Sequence, residues 1–210
     1  MVPSETTASE TARRSFLTGV VGVAAALAGC SASDSHRSPP EDGTIVTDHV
    51  TATTRAPGDQ PPIVAPRDDT GGGSTDGTST AEPLSLHTVE SESDAEAFEF
   101  AEDATNVAAA RRLLAETAYD SESVFVFQTR VGECYRLKLN YVTRSGDGDP
   151  NLQFCRVIRD AHTACERGAF DRTAALVRLP FPGEEYDGLS AGSGGSCGPI
   201  PDRYNGSDSA

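Results

Sequence analysis

Basic residues are scarce in this 210-residue chain, and lysine is almost absent. Its 32 aspartate and glutamate residues outnumber 17 bases, of which Lys138 is the single lysine, and the formal net charge is −15. The acids are spread along the chain and are not gathered in one patch. Such a surface repels nucleic acids and anionic head groups, so we expect no polyanionic partner and no nucleic-acid binding.

A hydrophobic run long enough to span a bilayer is also missing near the N-terminus. The apolar stretch there, residues 16–28, has about 13 residues, whereas a membrane helix needs about 20. Arg13 and Arg14 precede this stretch, and the small residues Ala28 and Gly29 end it beside Cys30. A charged start, a short apolar middle and a small-residue end are typical of a removable signal peptide, to which we assign residues 1–29.

Ligands for a metal or a redox cofactor are few. The only methionine is Met1, and two of the four histidines, His36 and His49, lie in a polar segment. Blue-copper sites need a cysteine, two histidines and usually a methionine, so the sequence excludes that class. Cys155, His162 and Cys165 lie close in sequence, but the paired Cys-x2-Cys ligands typical of zinc fingers are absent. We expect neither a metal site nor a cofactor.

The segment after the signal has the composition of a linker. Residues 30–82 show no apolar periodicity and are rich in serine, threonine, proline, glycine and aspartate. Such a segment cannot bury enough apolar surface to offset the entropy lost on ordering, so we predict a disordered stalk. A folded domain is expected at residues 83–204. A flexible tail follows at residues 205–210, where the sequon Asn205-Gly206-Ser207 makes Asn205 a candidate glycosylation site.

The β signal is clearest in the middle of the expected domain. Residues 124–127 are an unbroken β-branched and aromatic run, and apolar residues alternate with polar ones over residues 135–141. Further strands are predicted at residues 152–158 and 176–179, whereas the chain from Gly183 onward has a loop-like composition. Residues 105–117 have helical spacing, with Thr105 as the expected cap. The predicted fold class is therefore mainly β: a small, disulfide-bridged, β-sandwich-like domain with one short helix.

Four cysteines fall in this domain: Cys134, Cys155, Cys165 and Cys197. An even number in an exported domain favours two disulfide bonds, and four cysteines allow three pairings. We prefer Cys155 with Cys165, which closes a short loop, and Cys134 with Cys197, which ties the glycine-rich segment to a core strand. The second bond would stabilise the fold by about 4 kcal/mol through the entropy of the unfolded chain.

One motif suggests an enzyme. Gly188-Leu189-Ser190-Ala191-Gly192 matches the G-x-S-x-G elbow of hydrolases, in which a serine nucleophile stands on a turn between a strand and a helix. The glycine- and serine-rich residues that follow do not favour a helix, and no histidine follows Ser190. No nucleophile and acid are identifiable around His162. The sequence predicts no catalytic residue, and a small extracellular hydrolase is kept as the alternative function.

The N-terminal motifs resemble those of exported lipoproteins. Arg13-Arg14 before Ser-Phe-Leu resembles the twin-arginine export signal, and Leu27-Ala28-Gly29-Cys30 resembles the lipobox of bacterial and archaeal lipoproteins. The scarcity of lysine beside excess acid resembles proteins of salt-loving archaea, in which molar salt screens the repulsion between acids. The segments around the four later cysteines, with the Leu179-Pro180 sequence, complete a resemblance to haloarchaeal lipoproteins of unassigned function.

This resemblance implies an anchor and no known activity. The Cys30 thiol is expected to carry lipid and to become the first mature residue, which would hold the chain on the extracellular face of the cell membrane. Because one acyl chain binds a membrane only marginally, stable attachment would use two. The leading hypothesis is thus a membrane-anchored extracellular lipoprotein with a non-catalytic domain that binds a surface partner or a solute, or serves the cell envelope. The membrane is its expected partner through Cys30; a protein or solute partner stays unidentified.

Overall fold

The computed structural model of the chain describes residues 42–65 and 82–204, and strands are the main elements of both stretches. The strands are β1 (Thr44–Ile45), β2 (Val50–Ala56), β3 (Ile63–Ala65), β4 (Glu82–Pro83), β5 (Leu86–Val89), β6 (Glu99–Phe100), β7 (Ser123–Gly132), β8 (Tyr135–Arg144), β9 (Pro150–Ile158), β10 (Phe170–Leu179) and β11 (Ser190–Ser196). The α-helices are α1 (Glu92–Glu96) and α2 (Val107–Ala115), and two short 3-10 helices cover Gly183–Glu185 and Asp202–Tyr204. The mainly β fold class is confirmed.

A four-stranded antiparallel sheet with the order β2-β10-β7-β5 forms the centre of the fold. It is covered on both faces, which explains the unbroken apolar run in β7. Val124 and Val126 pack toward helix α2, whereas Phe125 packs toward a second sheet. A strand buried on both faces needs apolar residues at every position and not at alternate ones.

The second sheet has the order β1-β8-β9-β11 and covers one face of the central sheet. Strands β8 and β9 are antiparallel, while β11 runs parallel to β9. Leu137 and Val142 from β8 and Leu152 and Phe154 from β9 are buried against the central sheet. The alternation predicted for residues 135–141 is therefore that of a strand with one buried face, and the predicted sandwich is two facing four-stranded sheets.

A third layer covers the other face of the central sheet. Helix α2 buries Ala110, Leu113 and Leu114 there, and a small sheet with the order β4-β3-β6 lies in the same layer through Ile63. The predicted helix is confirmed, but its cap is not Thr105. Asn106 is the capping residue, with a left-handed φ of 61°, because the Thr105 backbone N–H donates to the carbonyl of Arg55 at 2.8 Å.

The boundary of the stalk requires a correction. Residues 42–65, which we predicted to be part of a disordered segment, contribute strands β1 to β3. Strand β2 pairs with β10 at seven consecutive positions, from Val50 opposite Arg178 to Ala56 opposite Arg172. Ala52, Thr54 and Ala56 are buried, so small and hydroxyl side chains are sufficient for one face of this edge strand. The rest of the predicted stalk, and the tail 205–210, lie outside the described residues.

Candidate functional site

The two disulfide bonds are Cys134–Cys165 and Cys155–Cys197. The prediction of two bonds among these four cysteines is confirmed, but the preferred pairing was wrong. The reason is strand β11, which runs beside β9 with Ser196 opposite Arg156 and so brings Cys197 to Cys155. The loop after β9 folds back on the turn between β7 and β8, where Arg159 N–H donates to the Cys134 carbonyl at 3.0 Å. That contact brings Cys165 to Cys134.

An apolar cleft lies beside the Cys134–Cys165 bond, at one end of the sandwich. We name it the end cleft; residues 132–135, Ile158 and residues 165–170 line its volume of about 540 Å³. Three of the five exposed large apolar side chains among the described residues lie here: Tyr135 is 43 %, Ile158 76 % and Phe170 46 % exposed. Tyr135 and Phe170 begin their strands and Ile158 ends its strand, so all three lie outside the buried core.

Strand register explains why those three side chains gather. Tyr135 is opposite Ile158 in the β8–β9 pair, and Phe170 is opposite Gly132 in the β10–β7 pair. Gly132 lets the Tyr135 ring lie against the backbone, because a Cβ atom at residue 132 would be 3.2 Å from Tyr135 Cδ2. The short turn between β7 and β8 joins the two sheets, and its residues line the end cleft.

An arginine from β2 holds that turn in place. Arg55 Nη1 donates to the carbonyl of Tyr135 at 2.7 Å, and Nη2 donates to the carbonyls of Gly132 at 3.3 Å and Glu133 at 3.2 Å. Its Nε pairs with the carboxylate of Asp171, and both side chains are only 15 % exposed. Sequence reasoning missed Arg55, since the residue lies in the segment predicted to be stalk.

The loop between β9 and β10 forms the other wall, and it too is fixed to the turn. Glu133 N–H donates to the Ala169 carbonyl at 2.9 Å, and the Glu133 carboxylate accepts the Glu166 N–H at 2.9 Å. With the Cys134–Cys165 bond, these contacts join the turn and the loop at three points. The end cleft is thus a preformed feature of the fold, as ligand sites commonly are.

A second, more polar groove adjoins the end cleft. It has a volume of about 440 Å³, shares Ile158 with the end cleft, and is also lined by Arg136, Arg159, Asp160 and Thr163. Arg159 Nη1 donates to the Glu133 carbonyl at 3.1 Å. Among the described residues, neither Arg136 nor Arg159 forms an ion pair with a carboxylate. No local pattern in the sequence predicts this groove, because Arg136 lies on β8 and Arg159 in the loop that follows β9.

Ser190 and His162, the residues that suggested an enzyme, do not share a site. Ser190 begins strand β11 and is not on a turn before a helix; its hydroxyl accepts a hydrogen bond from Asn151 Nδ2. His162 is exposed in the β9–β10 loop and is not among the residues that line either groove. Tyr135 carries the only hydroxyl group among the residues lining the end cleft. Neither Ser190 nor His162, the two residues on which the hydrolase hypothesis rested, lines the end cleft.

The cysteines near His162, which were considered as metal ligands, form disulfide bonds. Cys155 and Cys165 belong to different disulfide bonds, so their sulfurs are not thiolate ligands beside His162. Within residues 42–65 and 82–204, no group of three or more histidine, cysteine, aspartate or glutamate side chains is placed to hold a metal ion.

The residues predicted to direct export and anchoring lie outside the described part of the chain. Arg13, Arg14 and Cys30 precede residue 42, and Asn205 follows residue 204. In the described part, no helix has the length and apolar character needed to cross a membrane. No family model, curated protein or solved structure matches the chain.

Proposed function

We propose that this chain is a lipoprotein, anchored through Cys30 on the extracellular face of the membrane, whose domain binds an apolar molecule at the end cleft without catalysis. The twin arginines and the lipobox support the anchor, and the diffuse excess of acids with scarce lysine supports a haloarchaeal source. The end cleft supports the binding role, because the exposed apolar side chains around it contribute little to the stability of the fold.

The observation that carries the binding role is the exposure of Tyr135, Ile158 and Phe170 around one preformed cleft. Ile158 follows Leu152 and Phe154 at alternate positions of β9, but those two are buried and Ile158 is 76 % exposed. An exposed aliphatic residue contributes little to folding, since its apolar surface stays in water. A cluster of such residues, bordered by polar ones, is typical of a binding site.

Strand β1 and the end cleft lie at opposite ends of β8. Strand β1 pairs with β8 at Arg144, whereas Tyr135 lies nine residues away, a distance of about 30 Å along the strand. The end cleft is therefore at the end of β8 opposite to the one where β1 pairs.

The binding role is tested with Nile red, an uncharged dye that fluoresces in apolar sites. The dye is added to residues 31–210, which contain every described strand and helix, under oxidising conditions in molar KCl. We expect fluorescence from the parent chain and its loss in the double variant Ile158→Ser, Phe170→Ser. Val50→Ser is the control, because Val50 is 45 % exposed but lies on β2, away from the end cleft.

Melting temperatures of both variants should stay close to the parent value, since the replaced side chains are exposed. Equal fluorescence in the parent and the double variant, or none in the parent, would contradict a binding role for the end cleft. The anchor is tested separately in cells: wild-type chain should sediment with membranes, and Cys30→Ser should abolish its lipid labelling. Labelling that persists in Cys30→Ser would refute the anchor.

A further inference from the structure

The end cleft and the adjoining groove differ in chemistry although they are continuous. Tyr135, Ile158 and Phe170 give the end cleft an apolar surface, whereas Arg136 and Arg159 give the groove two cations. Ile158 lines both, so a molecule lying across Ile158 would contact the apolar side chains with one part and the arginines with another. Two surfaces of opposite character on either side of one residue suit an amphipathic ligand.

The charges around this site differ from those of the whole chain. The residues that line the two grooves include three arginines and three carboxylates, whereas the chain has a net charge of −15. Two of those carboxylates are used within the protein: Glu133 accepts the Glu166 N–H, and Asp160 accepts the His162 N–H at 2.8 Å. The third, Glu166, lines the end cleft and not the groove with Arg136 and Arg159.

The two arginines of the groove retain unused donors. Arg136 has no carboxylate partner in the described residues, and Arg159 uses one nitrogen on the Glu133 carbonyl. Other described arginines, including Arg111 and Arg112 on α2, also form no ion pair, so what distinguishes Arg136 and Arg159 is that both line a groove next to the end cleft. Guanidinium groups bind carboxylates through charge-assisted hydrogen bonds, often two at once. The carboxylate of a ligand could accept hydrogen bonds from these guanidinium groups.

We propose that the end cleft and the adjoining groove together bind one free amphipathic carboxylate, of the fatty-acid type. The apolar chain lies in the end cleft against Ile158 and Phe170, and the carboxylate lies in the groove against Arg136 and Arg159. The volume of about 540 Å³ is within the range of pockets for single small molecules. This proposal rests on the binding role of the end cleft and adds the class of ligand to it.

Isothermal titration calorimetry with three ligands of equal chain length tests the proposal on residues 31–210. Decanoate, decanol and decyltrimethylammonium share their apolar chain and differ in charge. All are used below their micelle concentrations, in about 2 M KCl, where only charges in near contact interact strongly. We expect decanoate to bind about tenfold more tightly than decanol, and the cation to bind most weakly.

Substitutions then locate the carboxylate. The double variant Arg136→Gln, Arg159→Gln should bind decanoate no more tightly than decanol, while its affinity for decanol stays unchanged. The control is Arg111→Gln, Arg112→Gln, which removes the same charge from helix α2 and should leave the preference for decanoate intact. Loss of the preference in the control as well would show that net charge, and not the groove, selects the ligand, and would overturn the proposal.

The outcomes separate this proposal from the one on which it rests. Nile red fluorescence with equal affinities for decanoate and decanol would overturn the anionic ligand and leave the binding role standing. Absence of both dye and decanoate binding would overturn both. If the domain bound vesicles of anionic phospholipid but not monomeric decanoate, the surface would be a membrane-docking face, and the proposal of a free carboxylate would be wrong.

Discussion

The guanidinium of Arg55 donates a hydrogen bond to the main-chain carbonyl of Tyr135, 80 residues further along the chain, at 2.7 Å. This contact connects an edge strand of the central sheet with the first residue of β8 in the facing sheet. Because the same side chain also contacts Gly132, Glu133 and Asp171, one arginine fixes the turn that shapes the end cleft. Strand β2, in the segment that the sequence predicts to be a stalk, is therefore part of the structure that supports the candidate site.

Replacing Arg55 is expected to weaken the fold and the end cleft together. Arg55→Ala leaves the largely buried Asp171 carboxylate and three carbonyls without this donor, so we expect a loss of about 3 kcal/mol in the free energy of unfolding. Arg112→Ala is the control, because Arg112 is exposed on α2, and it should change that free energy by less than about 0.5 kcal/mol. Urea unfolding followed by circular dichroism measures both, and equal effects would contradict the role of Arg55.

The two disulfide bonds should differ in their reduction. Cys165 is exposed, whereas Cys155 is only 3 % exposed, so a thiol reaches the Cys134–Cys165 bond more easily. Brief treatment with a mild reductant, followed by alkylation and peptide mapping, should label Cys134 and Cys165 first. Unreduced protein should give linked peptides only for Cys134–Cys165 and Cys155–Cys197. A Cys155–Cys165 peptide would contradict the fold around β11.

Removing either bond should cost similar stability. The bonds span 31 and 42 residues, so the chain-entropy model gives about 4 kcal/mol for each. We expect Cys134→Ser, Cys165→Ser to lose dye binding as well, because that bond joins the two walls of the end cleft. The matched control is Cys155→Ser, Cys197→Ser, which removes the bond between β9 and the end of β11. This variant should retain dye binding under conditions in which the chain is folded.

The N-terminal boundary of the domain can be tested by truncation. A chain that starts at Asp42 keeps all the described strands and should unfold cooperatively, with a melting temperature near that of residues 31–210. A chain that starts at Pro66 lacks β2, and with it seven paired positions of the central sheet and Arg55. We expect the shorter chain to lack a cooperative transition in a thermal scan by circular dichroism. Cooperative unfolding of that chain would place the boundary where the sequence first suggested it.

Alkaline pH should destabilise the domain through buried tyrosines. The pKa of Tyr119 is raised to about 12: burial is the largest cause, a hydrogen bond with Thr117 opposes it, and the nearby Asp94 and Glu92 add to it. An unfolded tyrosine has a pKa near 10, so between about pH 10 and 12 the unfolded chain loses its proton first. The free energy of unfolding is therefore intact below about pH 10 and falls as the pH rises toward 12.

Tyr119→Phe isolates that contribution. The variant loses the hydrogen bond from the Tyr119 hydroxyl to the Leu114 carbonyl, so it should be about 1 kcal/mol less stable at neutral pH. Its decline between about pH 10 and 12 should be shallower than that of the wild type. The decline should not vanish, because burial also raises the pKa of Tyr141 and Tyr186. Identical slopes in denaturant unfolding at several pH values would contradict the assignment.

The sequence predicted the elements whose side chains carry a strong periodicity. The doubly buried residues of β7 and the alternation in β8 were visible because burial selects apolar side chains there. Strand β2 was missed because its side chains at residues 51–54 are threonine and alanine. Such small side chains are sufficient for an edge strand, but they are also common in linkers. Strand β11 was missed for a similar reason: its serines and glycines lie close to β9, where a Cβ at residue 192 would be 2.8 Å from Gln153 Oε1.

The candidate site was less predictable than the fold. Its cysteines were identified, but their pairing depends on β11 lying beside β9, which is a tertiary contact between residues far apart in sequence. From the sequence, Tyr135 was identified only as the start of an alternating strand, and it lines the end cleft. Ile158 has the same alternation as the buried residues of β9, so nothing in the local sequence distinguishes it. It is exposed as the last residue of β9.

Intact mass of the protein isolated from cell membranes tests the central claim, a lipid-anchored and twice-bridged surface domain, most directly. The account predicts a chain that starts at Cys30 and carries added lipid. Full reduction should add the mass of four hydrogens, since two disulfide bonds are present in the domain. A Cys30→Ser protein should lack the lipid mass. A wild-type chain that carries no lipid, like the Cys30→Ser protein, would contradict the account. Free thiols at the four domain cysteines would contradict it as well.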